Sequence, residues 1–266
     1  MPTPTDRPVI SVMKPGLRVF ISAGASGIGL AITEMLIRHG ARVHICDVSE
    51  SHLAAFRKAH PGHGATLADV SDEQAVAKLF GDVKASLGGL DALINNAGIA
   101  GPTGGVDEIT PTDWRRCIDV GLTGQFLCAH HAVPMLKAAG GGAIVSMSSA
   151  AGKHGYAYRT PYAAAKFGVI GFTQSLAKEL GPANIRVNAI LPGIVEGPRI
   201  EGVIQARADK VGVSYQQMET TYLEKVSLRR MVSPHDVAAM VLFLLSPMGE
   251  NLSGQSLGVD GNVETL

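Results

Sequence analysis

Tyr162 and Lys166 stand four residues apart in "TPYAAAK", a spacing that puts both side chains on one face of a helix. A phenol is a poor base at its free pKa of about 10. A neighbouring ammonium favours the phenolate and lowers that value, which makes Tyr162 usable for general acid–base chemistry. Ser149 precedes Tyr162 by 13 residues and follows a short apolar run. Its hydroxyl is placed to hydrogen-bond a carbonyl or hydroxyl oxygen of a substrate. Taken alone, a tyrosine four residues before a lysine is also how an ordinary surface pair reads. The surrounding residues decide between the two.

A second group has types and spacing suited to a dinucleotide. In "VFISAGASGIG" the glycines Gly24, Gly27 and Gly29 enclose Ser26 and Ile28. Such glycines allow a sharp turn, close approach to a pyrophosphate, and packing of the following helix on its strand. Asp47 lies 18 residues beyond Gly29, near the spacing of an acid that accepts from a ribose 2′-hydroxyl. It is also placed to cap a helix beginning in "DVSE", and the two roles are compatible. "INNAG" brings Asn96, Ala97 and Gly98 after a fourth apolar run. They can hold a strand end open and line an adenosine pocket, although an isolated Asn-Gly string is also a turn. Asp47 would repel a 2′-phosphate, and Ser26 brings no positive charge to the turn. A dinucleotide with a free ribose 2′-hydroxyl is therefore expected rather than one carrying a 2′-phosphate.

These residues need elements to hold them. Short apolar runs at 17–22, 41–46, 64–68, 91–95, 142–147, 185–190 and 255–259 read as seven strands. Helical patterns lie between them near 27–39, 50–59, 72–87, 111–138, 160–180 and 234–246. Continuous apolar strands alternating with helices predict an α/β fold, a doubly wound parallel sheet of about seven strands with helices on both faces. No charge run, linker or repeat divides the chain, so residues 1–266 are expected to form one domain. The first 15 residues, proline-rich and without an apolar core of signal-peptide length, read as a loose leader.

Bulk composition excludes several function classes. Lys and Arg number 23, Asp and Glu 23, and charged residues are 17% of the chain. No basic field favours a nucleic acid or an anionic membrane surface. No apolar run of about 20 residues suggests a membrane span. Cys46, Cys117 and Cys128 lack paired spacing, which fits free thiols in a reducing, cytoplasmic setting. The nine histidines show no metal-ligand spacing, so no metal is expected.

The whole set resembles the short-chain dehydrogenase/reductase family. The resemblance rests on the turn at 22–29, Asp69–Val70, "NNAG", Ser149, Tyr162, Lys166, "IRVNAILPG" (185–193) and "SGQSLGVDG" (253–261). It implies a Rossmann-type domain, a nicotinamide cofactor, which with Asp47 is expected to be NAD rather than NADP, and reversible exchange between a secondary alcohol and a ketone. By the same implication Ser149, Tyr162 and Lys166 are catalytic, and Lys166 also binds the nicotinamide ribose. Asp69 and Val70 would flank the adenine, while Pro192, Gly193 and Val195 would pass beside the nicotinamide. A homo-oligomer, tetramer or dimer, is implied as well.

Two positions depart from the family pattern. The turn begins with Ser22 and Ala23 where Thr-Gly is usual, so it must use φ values that alanine tolerates. Gly121 replaces an asparagine that supports a proton-relay water. Restoring that asparagine is expected to leave turnover equal or to raise it. These departures support an alternative from another class, an idle dinucleotide-binding sensor or scaffold; intact Ser149, Tyr162 and Lys166 favour the enzyme. The polar helical stretch 198–232 is longer than a usual strand-to-helix connection. It reads as a substrate lid within the domain, with Val211, Val213, Met218, Tyr222, Leu223 and Val226 facing inward, or as a surface helical pair. His154, Tyr156, Tyr158 and Arg159 are candidate pocket residues or plain loop. Arg199 and Arg207 are candidates to meet an anionic group, or simply solvated.

Overall fold

The computed structural model describes residues 13–264. Seven strands form one sheet in the order β3-β2-β1-β4-β5-β6-β7. They are β1 (Arg18–Ser22), β2 (Arg42–Asp47), β3 (Gly64–Leu67), β4 (Ala92–Asn95), β5 (Gly142–Met147), β6 (Ile185–Pro192) and β7 (Ser256–Val259). Every neighbouring pair is parallel. Parallel strands need crossovers, and helices supply them: α1 (Gly27–Arg38), α2 (Glu50–Ala59), α3 (Glu73–Leu87), α4 (Pro111–Ile118), α5 (Gly124–Ala138), α6 (Thr160–Leu180), α7 (Pro198–Val211), α8 (Tyr215–Glu224) and α9 (Pro234–Leu245).

Both faces of the sheet are covered, which is why its strands are apolar throughout rather than alternating. Val19 and Ile21 of β1 point into one core with Ile32 and Leu36 of α1, Leu53 of α2 and Val241 of α9. Phe20, between them, points into the other with Leu79 of α3 and Leu136 of α5. The period-two alternation thus sorts neighbouring residues between two cores instead of between core and water.

Strand order reverses between β1 and β4, so their carboxyl ends open a crevice where folds of this kind bind ligands. The loops after β1, β4 and β5 meet there.

Three expectations need correction. The stretch 111–138 is not one helix, because a π-helical turn, Asp119–Thr123, separates α4 from α5. Helix α2 is capped by Ser49, whose hydroxyl accepts from the His52 N–H, and not by Asp47. Of the expected leader, residues 1–12 lie outside the described residues, and Met13 is buried in the α1 core. Among the described residues, no helix is long and apolar enough to cross a membrane.

Candidate active site

The turn after β1 is built by close approach. A Cβ on Gly29 would stand 1.9 Å from the Ala23 carbonyl oxygen, and one on Gly24 would stand 2.6 Å from Ile45 Cγ2. Gly24 and Gly29 are therefore packing glycines, while Gly27, at φ +51 with open space beyond it, makes the turn. Ala23 sits at φ 51, in the left-handed region that glycine usually fills. The position the sequence leaves without glycine is thus the one under strain. Asn96 holds the turn from β4: its side-chain amide donates to Ser22 O and Ala23 O, both at 3.1 Å. Ser22 Oγ accepts from the Asn96 and Ala97 N–H groups, each at 3.0 Å.

The donor set at this edge suits a dinucleotide. Ser26 stands at the N-terminus of α1 without a side-chain capping bond, which leaves the first helix N–H groups without a side-chain cap, the setting in which a pyrophosphate binds. Asp47, at the end of β2, is buried and accepts from the Ala25 N–H (3.3 Å) and the Ser49 N–H (3.1 Å). Its carboxylate is thereby fixed beside the turn. Asp69 and Val70 occupy the neighbouring strand end, with a difference from expectation in emphasis. The Asp69 carboxylate pairs with Arg116 at 2.8 Å, and Val70 is buried against the place where a Gly124 Cβ would be. Burial alone would raise the Asp69 acid; the Ser71 N–H and hydroxyl and Arg116 together hold it below the usual range. On the far side β6 ends at Pro192, Gly193 N–H donates to Val259 O at 3.0 Å, and Val195 bridges to Val232.

The proton-transfer candidates come together at the end of β5. Ser149 starts a short turn, with its Oγ accepting from the Ala151 N–H at 3.1 Å. Tyr162 lies in the first turn of α6, and Lys166 one turn on, with Nζ 5.7 Å from the Tyr162 ring centroid. Lys166 is buried and donates to Met147 O at 2.8 Å, while Ser148 Oγ donates to Lys166 O at 2.7 Å. Lys166 Nζ is also 3.4 Å from where a Gly98 Cβ would stand, which ties it to the "NNAG" loop. Burial alone would raise the Tyr162 phenol; the Lys166 ammonium, then the Ser149 hydroxyl, then Arg159 and Arg199 outweigh it and bring the phenol below its ordinary value. Burial draws Lys166 down as well, against the opposing pull of Tyr162.

Sequence reasoning passed over Gln125. Its Nε2 donates to Gly121 O at 3.3 Å and to Met147 O at 3.2 Å, the carbonyl that also accepts from Lys166. Asn95 Nδ2 donates back to Gln125 O at 3.1 Å. The only sequence signal was an amide inside the apolar run of α5. Arg159, a candidate for either pocket or loop from sequence, is buried, with its guanidinium carbon 4.5 Å from the Tyr162 ring centroid. Arg199 and Arg207 are not simply solvated. They donate to Gly98 O and Ala157 O, both at 2.8 Å. Among the described residues, no His, Cys, Asp and Glu cluster forms a metal site, and all three cysteines are free and buried.

A family model described as Enoyl-(Acyl carrier protein) reductase matches residues 22–263. Cis-4-hydroxycyclohexanecarboxylate dehydrogenase of Sinomonas cyclohexanicum is 39% identical over 91% of this chain and 94% of its own. Among solved structures, an actinorhodin polyketide ketoreductase with NADPH superposes with a TM-score of 0.89 at 32% identity, covering 94% of this chain and 98% of that one. An NAD+-bound xylitol dehydrogenase superposes with a TM-score of 0.87 at 27% identity over 93% of this chain and 98% of that one. The chain belongs to the short-chain dehydrogenase/reductase family of oxidoreductases.

Proposed function

We propose that this chain interconverts a secondary alcohol and a ketone with NAD as cofactor, using Tyr162 as the acid–base group. The observation that carries the reading is the meeting of Tyr162, Lys166 and Ser149 at one strand end, with the phenol held below its ordinary value. Bound NAD supplies the hydride acceptor, or NADH the donor. Ser149 orients the reacting oxygen through its hydroxyl. Tyr162 takes the hydroxyl proton during oxidation and returns one during reduction. Lys166, anchored on Met147 O, favours the phenolate over the phenol and stands where it can also reach a nicotinamide ribose.

The choice of NAD rests on Asp47. Its fixed carboxylate accepts from a ribose hydroxyl and repels a phosphate there. The solved relatives carry either cofactor, so the preference is this chain's own and is read by titration: NAD should bind more tightly than NADP by about tenfold or more, the size of one good charge-assisted bond. Equal or tighter NADP binding sinks the NAD reading. The relative from Sinomonas makes 4-hydroxycyclohexanecarboxylates the first substrates to try, followed by other cyclic secondary alcohols. For the chemistry, Tyr162→Phe should keep cofactor binding and lose turnover by roughly a hundredfold or more. Turnover near that of the parent would remove Tyr162 from the mechanism. A homo-oligomer is part of the same reading: Trp114, Phe126 and Phe167, on α4, α5 and α6, leave large apolar side chains exposed for a second copy to cover.

A further inference from the structure

Among the described residues, Arg159 has no counter-ion. It is 4% exposed, yet none of the ion pairs among the described residues includes it. Its Nη2 donates to Ala100 O, and its Nε is buried with no acceptor. Its guanidinium lies over two aromatic rings, 4.5 Å from the Tyr162 centroid and 5.0 Å from that of Tyr156. Ring faces attract a cation but do not neutralise it. A buried charge without a partner is costly, and one that is retained is usually paired when the protein works.

The surroundings add positive charge rather than removing it. Arg207 stands 5.8 Å from the same Tyr156 ring. Lys166, Arg159 and Arg199 all act on Tyr162, and no carboxylate does. The nearby acid Glu108 is already taken by Lys210 at 2.6 Å. Arg159 immediately precedes α6, and Tyr162 follows within its first turn, so the guanidinium and the phenol rise from the same stretch of backbone.

We propose that the cleft over Tyr162 takes a hydroxy or keto acid, and that Arg159 binds its carboxylate while the carbon bearing the reacting oxygen faces Tyr162 and Ser149. This rests on the oxidoreductase reading above and names its substrate class. A guanidinium presents paired N–H donors in a plane, which matches a carboxylate and not a neutral group of the same shape. The unpartnered Nε is the donor that such a pairing uses.

The test is a binding measurement that needs no turnover. Calorimetric titration of the full chain, saturated with NAD, compares cyclohexanecarboxylate with cyclohexanecarboxamide. The acid should bind more tightly by about tenfold or more, the ratio a charge-assisted hydrogen bond supplies. Arg159→Gln should erase that ratio, and Arg159→Lys, which keeps the charge, should retain part of it. Equal binding of acid and amide by the parent chain overturns the proposal, as does a ratio that survives Arg159→Gln. If Arg159→Gln does not fold, the parent ratio and the lysine variant decide. Selective acid binding in a chain that turns over no alcohol or ketone would sink the oxidoreductase reading and leave the anion site standing.

Discussion

At the scale of single residues, the informative position is Gly121. From sequence, asparagine there should be harmless or helpful. The packing argues for the opposite outcome, because a Cβ at 121 would lie 3.2 Å from Ala165 Cβ, tight enough that α6 must give by a few tenths of an ångström, and Ala165 directly precedes Lys166. Gly121 and Ala165 are therefore a matched small pair where the π-turn crosses α6. Overpacking such a contact costs about 1–3 kcal/mol when the neighbour cannot move. Gly121→Asn is expected to shift Lys166 and lower turnover by roughly tenfold, since small misplacements near the reacting atoms are expensive. The double variant Gly121→Asn with Ala165→Gly should recover most of that loss. Its melting point should drop slightly, because a helix-interior glycine costs about 0.5–1 kcal/mol. Unimpaired turnover in the single variant would show that α6 yields freely. Gln125 belongs to the same neighbourhood: its amide holds the π-turn and shares Met147 O with Lys166.

At the scale of elements, all seven strands stand within two residues of where the apolar runs put them. The reason is physical: a parallel sheet covered on both faces leaves a continuous apolar run, a strong local signal. Tyr162, Lys166 and the glycine turn were legible because their spacing is itself the signal. The π-turn was not, since helical periodicity runs through it and only the packing of Gly121 on α6 shows it. Gln125 was invisible for a similar reason, as its acceptors lie on another element. The neutral state of His44 is another property that appears only on assembly. On β2, His44 is buried, with Nδ1 2.7 Å from Ser86 Oγ and Nε2 3.0 Å from Thr66 Oγ1. Burial pushes its pKa down to about 4, against a weaker opposing pull from Asp82. The unfolded chain takes up this proton near pH 6.5 and the folded chain only near pH 4. Stability should therefore be full above the unfolded value and fall as the pH drops through that window, by up to about 3 kcal/mol from this group. Urea titrations at pH 7 and pH 5 read the loss, and His44→Leu should flatten the difference between them. A pH dependence unchanged by His44→Leu would assign it to other groups.

At the scale of the whole molecule, the question is whether α7 and α8 move. Their inner face is narrower than the sequence suggests: Met218, Tyr222 and Val226 are buried, but Val211 and Val213 are exposed. They pack with Ile204 and Ala208 on Ala150, Ala151 and Tyr156, beside the start of α6. That cluster is separate from the two cores that hold the sheet. Polar contacts tie the pair to the loops beneath it. Arg199 reaches Gly98 O, Arg207 reaches Ala157 O, Lys210 pairs with Glu108, and the Tyr156 and Tyr222 hydroxyls meet at 2.5 Å. Arg199, Lys210 and Glu108 are solvent-exposed, where such bonds are screened and individually weak; the tyrosine pair is buried. A segment with its own small core and weak ties opens at lower free energy than the sheet it covers. We therefore expect amides of 198–224 to exchange faster than those of β4, β5 and β6 in the free chain. NAD together with a substrate analogue should slow them by about tenfold or more, as closure over the reacting carbon excludes water. Arg207→Gln, which removes the tie to Ala157, should speed exchange in this segment while leaving the strands unchanged. Exchange as slow as the strands in the free chain, and indifferent to ligand, would instead make α7 and α8 a fixed cover, and access to Tyr162 would then have to come from the side of the "NNAG" loop.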